Sequence, residues 1–253
     1  MLTGSEPLRP EACVVIHGPD HVVPDAIGLA SLGGVGAVAT CVGRFPKAYA
    51  SVDPNEDAAL IAVGNHRVVA AVVDGHLGYE AARATIQAVE EEAALLLAAP
   101  VPAVVSGIQT VLAMAEDQIA AALAATTSDL AASRTAVTLA VVHADAVYVA
   151  TIGDTAGVLA GRGRRVKKFR SENRYLGPQH GPVKVQRRHW QPGDLLVLAS
   201  DGFVDYGGRN ALPGVVAATD TPEATARALV TAALDGGAGD NVTVAVVVLA
   251  SIL

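Results

Sequence analysis

Cysteine is scarce in this chain. Cys13 and Cys41 are the only two in 253 residues. They lie far apart and form no CxxC pair, so nothing suggests a disulfide framework. They read as reduced core thiols of a cytosolic protein. Aromatic residues make up only 4% of the sequence, which leaves Ala, Val and Leu to fill the interior. Positive charge is also in deficit: 18 Lys and Arg stand against 25 Asp and Glu, a formal net charge of -7. An acidic chain of this kind argues against nucleic acid as a partner. No charged start followed by an apolar run resembles a secretory leader. One uncharged stretch, from Ala93 to Ala115, exceeds the roughly 20 residues needed to cross a bilayer. Pro100 and Pro102 interrupt it. Two closely spaced prolines end one helix and open the next, so the stretch reads as two helices meeting at a turn, not a membrane span.

What is present is a 51% hydrophobic composition, enough for a large core in one domain spanning residues 1–253. Residues 1–43 are rich in Gly and Pro, with strands expected at Cys13–Ile16 and Val35–Val42. Ala58–Val63 and Arg67–Val73 read as a hairpin of buried strands around "GNH". Gly78–Ala99 and Pro102–Ala125 carry apolar stripes at helical spacing and should pair. The period then shortens. Strands are expected at Ala136–Val142, Ala146–Ile152, Ala156–Ala160, Val166–Phe169, Val183–Arg187 and Leu195–Ala199. A helix capped by Thr221 follows at Thr221–Leu234, and a strand at Val242–Leu249 closes the chain. This order indicates an α+β layered fold without strict βα alternation.

Acids recur at the ends of the apolar strands. Asp74 follows "VVAAVV", Asp154 follows "VYVATIG", Asp201 follows "LLVLAS", Asp240 precedes "NVTVAVVVL", and Glu56 and Asp57 precede "AALIAV". A single acid in such a place is normally a turn former or a helix cap. Five such sites are harder to dismiss. Carboxylates brought together repel and are partly desolvated, a state that a divalent cation relieves. An all-oxygen ligand set favours Mg²⁺ or Mn²⁺. A two-metal centre that acidifies a water suits phosphoester hydrolysis.

The segments "NEDAALI", "VVDGHLG", "RTAVTLAVV", "ATIGDTAGVLA", "LLVLASDGFVDY" and "GDNVTVAVV" occur in that order. Together they resemble the motifs of the metal-dependent type 2C (PPM) serine/threonine protein phosphatases, including bacterial members, over about Asn55 to Leu249. The resemblance implies a four-layer α-β-β-α sandwich, two packed antiparallel sheets flanked by helix pairs. It implies that Asp74 bridges two Mg²⁺ or Mn²⁺ ions, with the Gly75 carbonyl as a further ligand. Asp201 and Asp240 match ligands of one ion and Glu56 of the other. Asp57 matches a partner of metal-bound water, and Asp154 with Asp201 matches a third, weaker site. His76 matches the general acid, and Asn241 the residue that orients its loop. The implied function is hydrolysis of phosphoserine and phosphothreonine monoesters by a metal-activated water, in a cytoplasmic, monomeric signalling enzyme. Two alternatives stand beside it: a same-fold phosphatase for a small phosphorylated metabolite, and a degenerate module that only binds a partner.

Three positions depart from the pattern. Val52 stands where an arginine commonly grips the substrate phosphate, with Arg44 upstream as a substitute if the intervening loop folds back. Leu77 replaces a glycine in "DGHLG". Ala156 stands where many members carry an arginine. A basic run, Arg162 to Arg174, reads as a solvated hairpin with Val166 and Phe169 turned inward, or as a basic rim for an acidic substrate.

Overall fold

The computed structural model describes residues 9–47, 53–126, 132–161, 166–177 and 182–249. Its strands are β1 (Ala12–His17), β2 (Gly28–Ser31), β3 (Gly36–Cys41), β4 (Ala58–Gly64), β5 (Arg67–His76), β6 (Arg134–His143), β7 (Ala146–Ile152), β8 (Ala156–Ala160), β9 (Val166–Lys168), β10 (Val185–His189), β11 (Leu195–Ala199) and β12 (Val242–Val248). Its α-helices are α1 (Glu80–Ala98), α2 (Val104–Ala124), α3 (Asp201–Asp205), α4 (Gly208–Ala218) and α5 (Pro222–Asp235). The strands form two antiparallel sheets of six, in the orders β1-β4-β5-β6-β7-β10 and β2-β3-β12-β11-β8-β9.

The near-continuous apolar runs have a physical cause: both faces of each sheet are covered. In β5, Val69, Ala71 and Val73 pack with α1 and α2, while Val68, Ala70 and Val72 face the other sheet. In β12, Ala245 and Val247 enter the same inter-sheet layer, while Val244 and Val246 pack with α5. With period-2 alternation and apolar residues at every position, such strands are stable only in a layered sandwich. The result is the expected α-β-β-α arrangement.

Local chemistry sets the boundaries. Asn65 and His66 both take left-handed backbone, φ 52° and 55°, and close the β4–β5 hairpin as a two-residue turn. The proline-interrupted stretch is split as expected: α1 ends at Ala98, a short 3₁₀ turn spans Val101–Ala103, and α2 begins at Val104. No helix among the described residues is long and apolar enough to cross a membrane. The Thr221 side chain accepts from Ala224 N at 3.2 Å, capping α5 as its sequence implies.

The N-terminal strands are integral to the sandwich. β1 pairs with β4 in one sheet, and β3 lies between β2 and β12 in the other. Several expectations need correction. β2, α3 and α4 were not expected. β10 starts at Val185, two residues late. Val166 is exposed, because β9 is an edge strand, although Phe169 is buried. Cys13 is exposed on edge strand β1, and only Cys41 is a core thiol; both are free.

Candidate metal centre

Asp74 and His76 continue the β5 alternation of Val68, Ala70 and Val72, so both project toward the inter-sheet layer at its mouth. The other predicted acids converge there. Asp57, Asp201, Asp154 and Asp240 all lie close enough for their charges to act on the Asp74 carboxyl.

Glu56 ties the strand ends together. Its backbone N donates to Asn241 Oδ1 at 2.9 Å, and its carbonyl accepts from Gly75 N at 3.1 Å. Its side chain, fully buried, accepts from Gly78 N at 2.6 Å through Oε1. Gly75 must be glycine, because a Cβ there would stand 2.5 Å from the Glu56 carbonyl oxygen. Leu77 keeps a left-handed conformation, φ 61°, in the following turn. A side chain in that region costs roughly 1 kcal/mol. Asn241 donates to Val42 O at 3.1 Å and Pro54 O at 2.9 Å, so it straps β3, the approach to β4 and the start of β12 around the site.

A cation lies within this buried end. Lys47 Nζ is 3.0 Å from Glu56 Oε2 and 3.3 Å from Asp240 Oδ1, with its side chain only 6% exposed. Burial alone would lower its pKa. The charges of Asp240, Glu56 and Asp57 overcome that and raise it.

The other end is open. His76 Nε2 is 3.7 Å from Asp74 Oδ1 and 3.7 Å from Asp154 Oδ1, too long for hydrogen bonds. Single ligand atoms of Asp74, His76 and Asp154 lie within 4.8 Å of one another. The Tyr175 ring stands edge-on to His76 at 4.7 Å, and its hydroxyl donates to Asp154 Oδ2 at 3.4 Å. Arg134, opposite His76 across the β5–β6 ladder, places its guanidinium 4.3 Å from the Tyr175 ring centroid.

The electrostatics mark a cation site. Burial, then the charges of Asp57, Asp201, Asp154 and Asp240, push Asp74 well above the usual carboxylate range. Burial pushes Asp57 up to about 7, even though Thr243, Lys47 and Ser200 favour its ionised form. Burial and the Asp240 charge lift Asp201 to about 6. Asp154 is the exception. Burial raises it, but the His76 side chain brings it below its ordinary value. Among the described residues, Asp57 Oδ2 and His76 Nε2 are buried without a hydrogen-bond partner. Crowded carboxylates that resist ionisation, with a buried oxygen left unsatisfied, fit hard divalent cations bound through oxygen.

Arg44, the upstream arginine considered as a phosphate ligand, is engaged by two acids. Its guanidinium pairs with Asp25 at 2.8 Å and Asp235 at 3.6 Å. Val52, Arg162, Arg164 and Arg165 lie outside the described residues. Ala156 is buried at the start of β8 opposite Ala199. Among the described residues of the basic run, Arg174 turns to Glu116 and Glu172, while Lys167 and Arg170 are exposed.

The family model for Stage II sporulation protein E (SpoIIE) matches residues 64–249, nearly three quarters of the sequence. The chain belongs to the SpoIIE family. Glu56 and Asp57 precede the span matched by the SpoIIE model and reach the site through the Asn241 strap. None of the curated proteins matches this SpoIIE-family chain. Among solved structures it is similar to a bacterial serine phosphatase, at 18% identity over 85% of this chain and 97% of that one, with a TM-score of 0.71. It is similar to the catalytic domain of the serine threonine protein phosphatase PstP in complex with two manganese ions, at 22% identity over 87% and 98%, TM-score 0.68. It is also similar to PppA, a regulatory component of the T6SS in Pseudomonas aeruginosa, at 22% identity over 87% and 99%, TM-score 0.67. At such identities the likeness is one of fold, and the fold is that of the bacterial type 2C phosphatases.

Lys47, Tyr175 and Arg134 went unnoticed in the sequence as parts of this site. Arg134 opens the segment "RTAVTLAVV", so its position beside a motif was visible. Nothing adjacent to Lys47 or Tyr175 signals their place.

Proposed function

We propose that this chain is a divalent-metal-dependent phosphatase that hydrolyses phosphoserine and phosphothreonine monoesters. The observation that carries the reading is the convergence of six acids from distant strand ends on one cleft, with Asp57 Oδ2 buried and unpartnered. Asp74, the Gly75 carbonyl, Asp201 and Asp240 with Glu56 would hold two ions, and Asp154 with Asp201 a third, weaker one. Mg²⁺ or Mn²⁺ there would supply Lewis acidity, neutralising phosphoryl oxygens and acidifying a water for attack on phosphorus.

The protein's own groups do the rest. Asp57 presents its free oxygen to orient a water in the cleft. His76 is held edge-on by Tyr175 between Asp74 and Asp154, a position at the open end that supports its assignment to the leaving group. An oxygen–phosphorus bond forms to water as the phosphorus–oxygen bond to the side chain breaks; His76 protonates the leaving alkoxide, and the proton the attacking water loses passes to solvent, from which His76 is reprotonated. The products are the free hydroxyl and inorganic phosphate. Nothing in the scheme requires a nucleophilic Cys or Ser.

The test is hydrolysis of a phosphoserine peptide and of p-nitrophenyl phosphate with Mn²⁺ and with EDTA. Turnover of both that depends on Mn²⁺ supports the reading. No turnover at saturating Mn²⁺ would leave the binding-module alternative. A clear preference for sugar or nucleotide phosphates would favour the metabolite alternative.

A further inference from the structure

We propose that Arg134 grips the substrate's phosphoryl group, in the role that the resemblance assigns to an arginine before Glu56. The proposal rests on the phosphatase reading and adds to it the residue that captures the phosphate.

Three observations carry it. First, Arg134 is directly opposite His76 in the β5–β6 register. Opposed residues of an antiparallel pair project from the same face with Cβ atoms roughly 5 Å apart. Arg134 is therefore presented on the face that carries Asp74 and His76, and it is exposed at the first position of β6. Second, its guanidinium lies 4.3 Å from the centroid of the Tyr175 ring, the same ring that packs against His76 and whose hydroxyl reaches Asp154. Stacking on an aromatic face fixes the plane of a guanidinium while leaving its N–H edge free for two parallel hydrogen bonds to an oxyanion. Third, Arg134 has no carboxylate partner among the described residues. An acid there would cancel the charge; the ring orders it without cancelling it.

The neighbouring cations are committed elsewhere. Arg44 is paired with Asp25 and Asp235, Arg174 with Glu116 and Glu172, and Lys47 with Glu56 and Asp240. Arg134, at the open rim, forms no ion pair with an acid among the described residues.

The experiment compares the Mn²⁺-loaded wild type with Arg134→Ala, Arg134→Lys and Tyr175→Leu. It measures kcat and KM on a phosphoserine peptide and on p-nitrophenyl phosphate, product inhibition by inorganic phosphate, and the circular dichroism melt of each variant. Arg134→Ala should raise KM roughly ten- to hundredfold with little change in kcat, because it removes binding common to substrate and transition state. Inhibition by inorganic phosphate should weaken by a similar factor. Arg134→Lys should recover only part of both, since an ammonium keeps the charge but not the two-point grip. Tyr175→Leu should shift both in the same direction by less. Should the wild type turn over both substrates while Arg134→Ala keeps its KM and its phosphate inhibition, Arg134 has no such role and the phosphatase reading survives. A fall in kcat at unchanged KM would equally overturn the gripping role. If the wild type hydrolyses neither substrate, the phosphatase reading fails and this one with it.

Discussion

Near β4 and β12, the carboxylates of Glu56, Asp57 and Asp240 are buried, strapped by Asn241 and shared with Lys47. Near β6 and β7, Asp154 is 38% exposed, His76 stands 3.7 Å from both Asp74 and Asp154, and Tyr175 and Arg134 form a rim at the open end. The same residue type serves two ends of one cleft in different ways. At the closed end, backbone and side-chain hydrogen bonds fix each carboxylate, and a tethered ammonium offsets part of their charge. At the open end, aromatic stacking orders the groups and leaves their polar edges available. The closed end holds the framework, and under the proposed function the open end is where substrate would enter. Substitutions at the two ends should therefore fail in different ways.

The largest expected effect is at the open end. His76→Gln should lower kcat on a phosphoserine peptide by roughly 10²–10⁴-fold, with far less effect on p-nitrophenyl phosphate, whose leaving group departs without a proton. Equal losses on both substrates would remove His76 from the acid role. At the closed end, Asn241→Ala removes the acceptor for Glu56 N and the donor to two carbonyls. It should cost about 2–4 kcal/mol in urea unfolding, because buried partners are left unsatisfied. A loss below about 1 kcal/mol would mean that the strap is not structural.

The next effect is on pH dependence. Asp57 and Asp201 are raised in the fold to about 7 and about 6, so the folded chain binds these protons more tightly than the unfolded chain does. Their contribution to stability is full below the unfolded carboxylate pKa and is lost as pH rises through about 6 to 7. The melting temperature of the metal-free protein should fall by roughly 5 °C or more between pH 5 and pH 8. Saturating Mn²⁺ should flatten that fall. A metal-free melting temperature that rises over this range would contradict the site's electrostatics. The smallest effect concerns Lys47. Lys47→Met removes a cation that competes with a metal for Glu56 and Asp240, and should tighten Mn²⁺ binding about tenfold, or about 1.4 kcal/mol. Weaker binding would mean that Lys47 supports the ions instead of opposing them.

Much of this was legible in the sequence, and the exceptions have physical reasons. The strands were visible because layers on both sides make every position apolar, as in Arg67–His76, where only the ends are polar. The acids were visible because each interrupts such a run. α4 was missed because Gly207, Gly208, Pro213 and Gly214 all signal turns, yet the helix accommodates Pro213 in its interior. β2 has four residues and no pattern of its own. Tyr175 and Arg134 were missed because their places depend on partners far away in the chain, and Lys47 because its second partner, Asp240, is equally distant. A lysine preceded by proline announces nothing until β12 brings Asp240 beside it. Arg44 was the more obvious arginine in sequence, and only tertiary structure ties it to Asp25 and Asp235.

Calorimetric titration of Mn²⁺ into the metal-free wild type and Asp74→Ala, each checked for folding by circular dichroism, addresses the cleft most directly. Two tight sites in the wild type, both lost or weakened at least a hundredfold in a folded Asp74→Ala, is the outcome expected of a carboxylate shared by both ions. Indistinguishable isotherms for the two proteins would mean that the converging acids do not hold metal around Asp74.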